Sequence, residues 1–268
     1  MKNFIIIFFV LLTTWAESFS QILPSSREIG MSNSTIADSN SAFALFYNPA
    51  CLSRINYREI GLYYSPSPFG LKELANVYAV YTEPLRFISA AIGIKSYGFN
   101  LYKENEITLG LSKSFEERYF AGVSFAMSNI SINKYGQKNL LSAAFGNNIR
   151  VDDNLSFAAV VRNIQLGNYS KYLRKSLILE VGTSYRVNSF LITAALQKEE
   201  YFDLSYAFGV EISLIKYIDL RAGFRNLPNS FSFGIGINYS FVKIDYSAFN
   251  NFNLGLTHQF GLLIHIDK

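Results

Sequence analysis

The chain has 268 residues and a formal net charge of +4, and only 16% of its residues are charged while 50% are hydrophobic. An average soluble domain carries about 25% charged residues, so the composition argues against an ordinary soluble domain. The small positive surplus, without any cluster of Lys and Arg, argues against nucleic acid as a partner. The single cysteine, Cys51, excludes an intramolecular disulfide and a cysteine-rich metal site.

The first twenty residues have the pattern of a secretory signal peptide. Lys2 provides a positive start, residues 4–12 form an unbroken apolar run, and residues 18–20 offer small side chains for cleavage before Gln21. This apolar run is too short to span a hydrocarbon core of about 30 Å. We therefore expect cleavage rather than anchoring by a helix.

The stretch 21–56 differs from the rest of the chain, because it is rich in Ser, Asn and Ala and shows no period-2 pattern. Residues 42–47 are compatible with a short helical turn. Asn48 and Pro49 then predict a second helical start, with Asn48 as the cap and Pro49 at the first helical position. We expect this stretch to fold into the lumen of the sheet described next, as a plug.

From residue 57 to residue 268 the chain alternates apolar residues with polar or small ones, and this alternation is clearest between Leu204 and Asn238. Strict alternation predicts strands with one apolar face, and short connections between them predict an antiparallel meander. The predicted strands cover residues 59–65, 75–82, 86–97, 105–114, 119–128, 140–148, 154–164, 176–186, 189–197, 204–212, 218–225, 231–239, 242–248 and 253–264.

These strands predict an all-β fold, a transmembrane antiparallel β-barrel of about fourteen strands, with twelve as the second choice. Bacterial single-chain barrels use an even number of strands, and about 9–11 residues cross the bilayer. The alternative is a soluble β-sandwich, whose single core would not accept so many apolar faces. We expect the tight connections, and with them both chain ends, on the periplasmic side. The longer connections expected outside are residues 65–73, 129–139 and 165–175.

In such a barrel the polar faces of the strands look into the lumen. The charged residues predicted to line it are Lys95, Arg162, Glu180, Arg186, Asp203, Glu211, Asp219, Arg221, Arg225, Lys243 and Asp245. Ion pairs that also hold a plug are the first interpretation, and a charged pathway for a substrate is the second. Many glycines share this face, which predicts a close approach by another part of the chain. They are Gly110, Gly122, Gly182, Gly209, Gly223, Gly234 and Gly236.

Catalytic chemistry is not expected. The histidines are His258 and His265, and His258 falls on the apolar face, where Ser240 or Ser247 would have to complete a hydrolytic site. Nothing in the sequence fixes such a geometry. We therefore predict that the protein is not an enzyme, and that it holds no metal and no cofactor.

Residues 29–31 and 42–52 carry a resemblance to a known family. Ile29-Gly30-Met31, followed by Ala42-Phe43-Ala44-Leu45-Phe46-Tyr47-Asn48-Pro49-Ala50-Cys51-Leu52, resembles the N-terminal region of FadL-like outer-membrane proteins, most closely the PorV/PorQ family of Bacteroidetes. Cys51 stands where that family usually has Gly. Residues 160–164 and 254–260 resemble a middle strand and the closing strand of that family.

The resemblance implies a fourteen-stranded barrel in the outer membrane of a Gram-negative bacterium, with an N-terminal segment in its lumen. It implies a role in type IX protein secretion or surface attachment, with secretion-machinery or secreted proteins as partners beside the membrane lipid. The alternatives are a FadL-like transporter of hydrophobic small molecules and a structural barrel without transport. The plug motif is predicted to be Phe46, Tyr47, Asn48, Pro49 and Ala50, which either shifts to open a path or simply caps a short helix.

Overall fold

The computed structural model describes residues 23–167 and 175–266, and the predicted signal peptide, residues 1–20, lies outside the described residues. Fourteen antiparallel strands form a closed barrel, in which each strand pairs with its neighbours in sequence and β1 pairs with β14. This confirms the predicted fourteen-strand barrel. The strands are β1 (Arg58–Ser65), β2 (Asn76–Pro84), β3 (Ser89–Phe99), β4 (Tyr102–Phe115), β5 (Tyr119–Ile132), β6 (Gly136–Arg150), β7 (Leu155–Leu166), β8 (Ile178–Val187), β9 (Phe190–Glu199), β10 (Ser205–Ile215), β11 (Ile218–Arg225), β12 (Ser230–Tyr239), β13 (Val242–Asn251) and β14 (Gly255–Ile266).

The strands carry their apolar side chains on the outside of the barrel. In β12, Phe231 and Phe233 are 44% and 64% exposed, whereas Ser230 and Ser232 are buried. Because successive side chains of a strand point to opposite faces, the alternation seen in the sequence separates an apolar outer surface from a polar interior. This arrangement is the reverse of that in a soluble domain, and it suits a barrel surrounded by lipid.

The two ends of the barrel differ in their connections. At one end, called the turn end, tight turns such as the one between β12 and β13 join the strands; at the other, called the loop end, β7 and β8 are joined by residues 167–177. Between β1 and β2 the loop end also carries two 3-10 helices, Pro68–Gly70 and Lys72–Leu74. No helix in the described part of the chain is long and apolar enough to cross a membrane.

One predicted loop is instead part of the sheet. Residues 129–139 were expected outside the barrel as a long connection, but β5 and β6 stay paired as far as Ile132 and Gly136. Only a three-residue turn then joins the two strands. The prediction was wrong because this part of the hairpin extends past the apolar band, where both faces are exposed and the alternation that marks a strand disappears.

Residues 23–57, called the N-terminal segment, lie inside the ring of strands. Gly30 packs against Gly234 of β12, and Pro49 packs against Gly122 of β5, which is on the opposite side of the ring. The segment contains two short helices, α1 (Ser26–Gly30) and α2 (Ala44–Tyr47), followed by a 3-10 helix at Pro49–Arg54. Nearly all of its residues are buried, so it forms the core of the barrel.

The first and last described residues lie at different ends of the barrel, and the chain ends expected on the periplasmic side lie outside the described residues. The last strand finishes at the turn end, at Ile266, but Leu23 lines a cavity together with Phe202 and Leu254 from the loop end. The segment therefore starts near the loop end and runs towards the turn end, where Asp38 forms an ion pair with Arg186.

Candidate functional site

A buried cluster of charged side chains holds the N-terminal segment to the wall of the barrel. Arg27 of α1 donates two hydrogen bonds to Glu211, at 2.9 and 3.0 Å. Arg221 also binds Glu211, at 2.7 Å, and it binds Asp245 at 2.6 Å. The Arg221 side chain is fully buried. These four residues, with Asp219 at 3.4 Å from Arg221, are called the Arg221 cluster.

A second group of ion pairs forms around Asp38, nearer the turn end. Its carboxylate lies 3.0 Å from Arg27, 3.3 Å from Arg54 and 3.0 Å from Arg186 of β8. Since Arg54 belongs to the 3-10 helix and Arg27 to α1, Asp38 joins both ends of the segment to each other and to the wall. A carboxylate with three guanidinium partners satisfies most of its hydrogen-bond acceptors.

The predicted plug motif lies in the centre of the segment and is buried throughout. The Asn48 side chain accepts a hydrogen bond from Ala50 N and donates to the carbonyls of Ile36 and Asn147, at 3.1 and 3.0 Å. It therefore caps the 3-10 helix, with Pro49 at the first helical position, and joins that helix to β6. The ring of Phe46 packs edge to face against Tyr78 of β2, with 5.3 Å between ring centroids.

The glycines on the inner face of the strands make room for this segment. A Cβ atom on Gly122 would lie 2.4 Å from the carbonyl carbon of Pro49, and one on Gly223 would lie 2.5 Å from that of Met31. Since both contacts are to backbone, neither is relieved by a side-chain rotation. Gly236 differs from the other predicted glycines, because its neighbours are the side chains of Arg221 and Asp245 rather than the segment.

Cys51 provides a natural reporter for the position of the segment. Burial raises the pKa of its thiol to about 11, and only the thiolate is a nucleophile. We expect Cys51 in the folded barrel to stay unlabelled by a maleimide at neutral pH and to react once the barrel is unfolded. Mass spectrometry measures the label, and a Cys51→Ser, Asn40→Cys variant is the control, because Asn40 is exposed. Rapid labelling of folded wild-type protein would contradict this prediction.

On the loop-end side of the N-terminal segment, the lumen widens into a cavity of about 420 Å³ that reaches the loop end. This cavity is called the vestibule. Its floor is the segment, through Ile29, Leu45 and Phe46, so the segment separates it from the turn end. One of its sides carries eight apolar residues, beside polar ones such as Arg225, Ser230 and Asn251, and these eight residues are called the apolar wall. The residues of this wall are Leu23, Pro24, Phe69, Tyr78, Leu227, Pro228, Phe249 and Leu254.

The opposite wall of the vestibule consists of paired charges. Arg162 of β7 binds Glu180 of β8 at 2.6 Å and also donates to the carbonyl of Tyr47 at 3.0 Å. Lys175 pairs with Glu106, which also accepts from Ser128 at 2.6 Å. The vestibule thus has one apolar and one polar side. This combination suits a ligand whose surface is mostly apolar with a few polar atoms.

Most of the predicted lumen charges are where the sequence placed them. Those that are buried inside the barrel are Lys95, Arg162, Glu180, Glu211, Asp219, Arg221, Arg225 and Asp245. Lys243 is partly buried, 3.5 Å from Asp219, and the Arg186 side chain is 41% exposed at the turn end. Asp203 precedes β10 and lines the mouth of the vestibule, where it is exposed rather than buried.

The charges of the N-terminal segment itself were not predicted from sequence. Arg27, Asp38 and Arg54 complete the buried networks, and Glu59 of β1 accepts a hydrogen bond from Ala42 N at 2.5 Å. The available signal for the three segment residues was their position in a stretch rich in Ser, Asn and Ala. Charged residues in such a segment need partners when the segment is buried, and the lumen supplies them.

The side chains considered for hydrolysis are not brought together. Ser247 faces the interior and binds Gln259 at 3.1 Å, whereas His258 lies on the outer face, where its Nδ1 is 2.7 Å from the Tyr246 hydroxyl. Ser240 lies in the turn after β12, and His265 lies 2.8 Å from Glu59. Within the described ranges, no three His, Cys, Asp or Glu residues are grouped as metal ligands.

The chain thus forms a closed β-barrel with an apolar outer surface, a filled lower lumen and an upper vestibule. Solved structures of channels and transporters share this fold. A structure titled CymD monoaromatic hydrocarbon channel matches with a TM-score of 0.73 over 94% of this chain and 100% of the other, at 11% identity. A Pseudomonas aeruginosa FadL homologue matches with a TM-score of 0.64 over 93% and 99% of the two chains, at 10% identity.

The Ralstonia pickettii toluene transporter TbuX matches with a TM-score of 0.63, over 88% of this chain and 96% of the other, at 11% identity. At such identities the likeness shows the fold, and the fold is the one that the FadL-like resemblance implied. No protein-family model and no curated protein sequence matches the chain.

Proposed function

We propose that this protein is an outer-membrane barrel that admits hydrophobic small molecules to the vestibule from the outside of the cell. The observation that carries this proposal is the vestibule itself, which opens at the loop end and has an apolar wall of eight residues. In this orientation the loop end faces outwards and the turn end faces the periplasm. The barrel would be exported with residues 1–20 as a cleaved signal peptide, and residues 21–56 would act as the plug of the domain 57–268.

Two further observations support transport over the secretion role that the PorV/PorQ resemblance implied. The solved structures with this fold include a monoaromatic hydrocarbon channel and a toluene transporter. Apart from the connection between β1 and β2, the fully described connections at the loop end have at most five residues, so they offer little surface to a large protein partner. A hydrophobic small molecule is thus a better candidate for the partner than a secreted protein.

Uptake by whole cells tests the proposal. Expression of the chain in a host lacking its own hydrophobic-compound barrels should raise the initial rate of radiolabelled toluene uptake several-fold over the empty vector. Ser142 lines the vestibule, so Ser142→Trp should return the rate to the background. Ala159→Trp, on the outer face between β6 and β8, is the control and should keep the wild-type rate. Equal uptake with and without the barrel would refute the proposal.

Secretion or surface attachment of the PorV/PorQ type is the second candidate, supported by the motif at residues 42–52. It predicts a different result in the native host. A deletion strain would lose surface proteins or accumulate exported proteins in its periplasm, as measured by quantitative proteomics of the three fractions. An unchanged distribution of exported proteins would remove this candidate and leave transport.

A further inference from the structure

Arg225 at the loop end of β11 is a buried cation without a carboxylate partner. It is 8% exposed and lines the vestibule. Its hydrogen bonds go to neutral acceptors, namely the Gln197 amide oxygen and the Ser205 hydroxyl, both at 3.2 Å, and the carbonyls of Ser32 and Asn33, at 3.2 and 3.4 Å. Among the described residues no carboxylate oxygen lies within ion-pair distance of it, although Arg27, Arg162 and Arg221 all have one.

A buried guanidinium usually needs an anionic partner, because the cost of removing its charge from water is otherwise not offset. The buried arginines elsewhere in this lumen follow that rule. Arg225 borders the open vestibule, as Arg162 does, but unlike Arg162 it has no carboxylate within ion-pair distance there. An anion that entered the vestibule would supply the missing partner, in the geometry with which guanidinium groups bind carboxylates.

The apolar wall and the floor of the same cavity carry two pairs of aromatic rings. Phe69 and Phe249 pack edge to face with 5.7 Å between their ring centroids, and Phe46 and Tyr78 do so with 5.3 Å. All four line the vestibule. Aromatic rings favour further rings at centroid distances of about 4.5–7 Å in edge-to-face or offset arrangements. An aromatic ligand that enters the vestibule would therefore have two pairs of rings to pack against.

The separation between Arg225 and Phe249 limits the size of the ligand. Arg225 pairs with Ser230 of β12, and Phe249 of β13 pairs with Ser232 of β12, so the arginine and the ring are two strands apart. Adjacent strands are about 4.8 Å apart, which puts their backbones roughly 10 Å from each other. Because the intervening inward residues, Ser230 and Ser232, are small, the space between them is open.

We propose that the vestibule binds a compact aromatic carboxylate, with its ring against Phe249 and Phe69 and its carboxylate on Arg225. This inference rests on the proposed function, and it goes further by naming the chemical class and the residue that recognises the charge. It distinguishes this barrel from one that takes neutral hydrocarbons, for which a buried cation in the cavity has no use.

Calorimetric titration of the purified full-length barrel in detergent micelles tests this inference, with empty micelles as the blank. The probes are 4-isopropylbenzoate, the neutral analogue isopropylbenzene and the linear acid decanoate. We expect the aromatic acid to bind at least about tenfold more tightly than its neutral analogue, as for a hydrogen-bonded charge. Arg225→Gln should abolish this preference, Arg225→Lys should keep part of it, and Arg150→Gln at the turn end should leave it unchanged.

The other possible results of this titration show whether the inference, the proposed function or both are wrong. Equal binding of the acid and the neutral analogue would overturn the inference and leave the transport proposal intact. Decanoate binding as tightly as the aromatic acid would overturn the role of the ring. An acid preference that survives Arg225→Gln in a barrel with normal heat-dependent gel migration would overturn the assignment of Arg225. Binding of none of the three probes would refute the proposed function as well.

Discussion

Replacement of Arg221 by methionine is expected to lower the free energy of unfolding of the barrel by about 3–5 kcal/mol, the usual effect of removing one partner from a buried ion pair. The Arg221 side chain is fully buried between Glu211 and Asp245, at 2.7 and 2.6 Å. Without it, Asp245 loses its ion-pair partner, and Glu211 keeps only Arg27. Two carboxylates would then remain buried with too little positive charge near them.

Urea titration of the purified barrel, followed by circular dichroism, measures this change. Arg150→Met is the matched control, because Arg150 lies at the turn end, is partly exposed and has no ion pair among the described residues. The control should shift the unfolding free energy by less than about 0.5 kcal/mol, as for most surface substitutions. If Arg221→Met proved as mild as the control, the cluster would not stabilise the barrel, and the segment would depend on its apolar contacts alone.

The double variant Asp245→Asn, Arg221→Met separates the two contributions to this loss. If the penalty comes from the unpaired carboxylate, neutralising Asp245 should recover part of the stability that Arg221→Met removes. Such coupling between contacting residues typically amounts to about 0.5–3 kcal/mol. Additive losses would instead indicate that each side chain acts through packing rather than through the pair.

The strands of this protein were predictable from sequence because burial alternates with a period of two along most of the sheet. The meander at residues 204–239 needed only that pattern, and its three strands were placed within three residues of their positions. The charged residues of the lumen followed from the same alternation. Where both faces of a strand are exposed, as in β5 and β6 beyond the apolar band, the alternation is absent. Residues 129–139 were therefore predicted as a loop rather than as strand.

The path of the N-terminal segment was harder to predict, since it is fixed by contacts between residues far apart in the chain. Arg27 and Glu211 are 184 residues apart, and Asn48 and Asn147 are 99 apart. The local signals at Asn48 and Pro49 gave the start of the 3-10 helix, but no local signal shows that Leu23 lies at the loop end. The vestibule depends on that path, because the segment forms its floor, so its shape was not accessible from sequence either.

The fit between the segment and the inner glycines leads to the second large effect. Gly122→Val should expel the N-terminal segment from the lumen, because a Cβ at this position would lie 2.4 Å from the Pro49 carbonyl carbon and 2.5 Å from Ala50 N. Both atoms belong to the backbone of the 3-10 helix, which is anchored by the Asn48 cap. Real Cβ atoms do not approach so closely, so either the helix moves or the barrel deforms.

Maleimide labelling of Cys51 and single-channel recording in planar bilayers together measure this displacement. The wild-type barrel should show an unreactive thiol and little conductance, since the segment fills the lower lumen, whereas Gly122→Val should show a reactive thiol and an open pore. Ala126→Val is the control on the same strand and the same face, four residues nearer the loop end, where the side chain meets the vestibule. A reactive Cys51 without conductance would mean that the segment rearranges inside the lumen. An unreactive thiol and a closed pore in Gly122→Val would show that the barrel widens to keep its plug, and that the segment is held more firmly than the strands that enclose it.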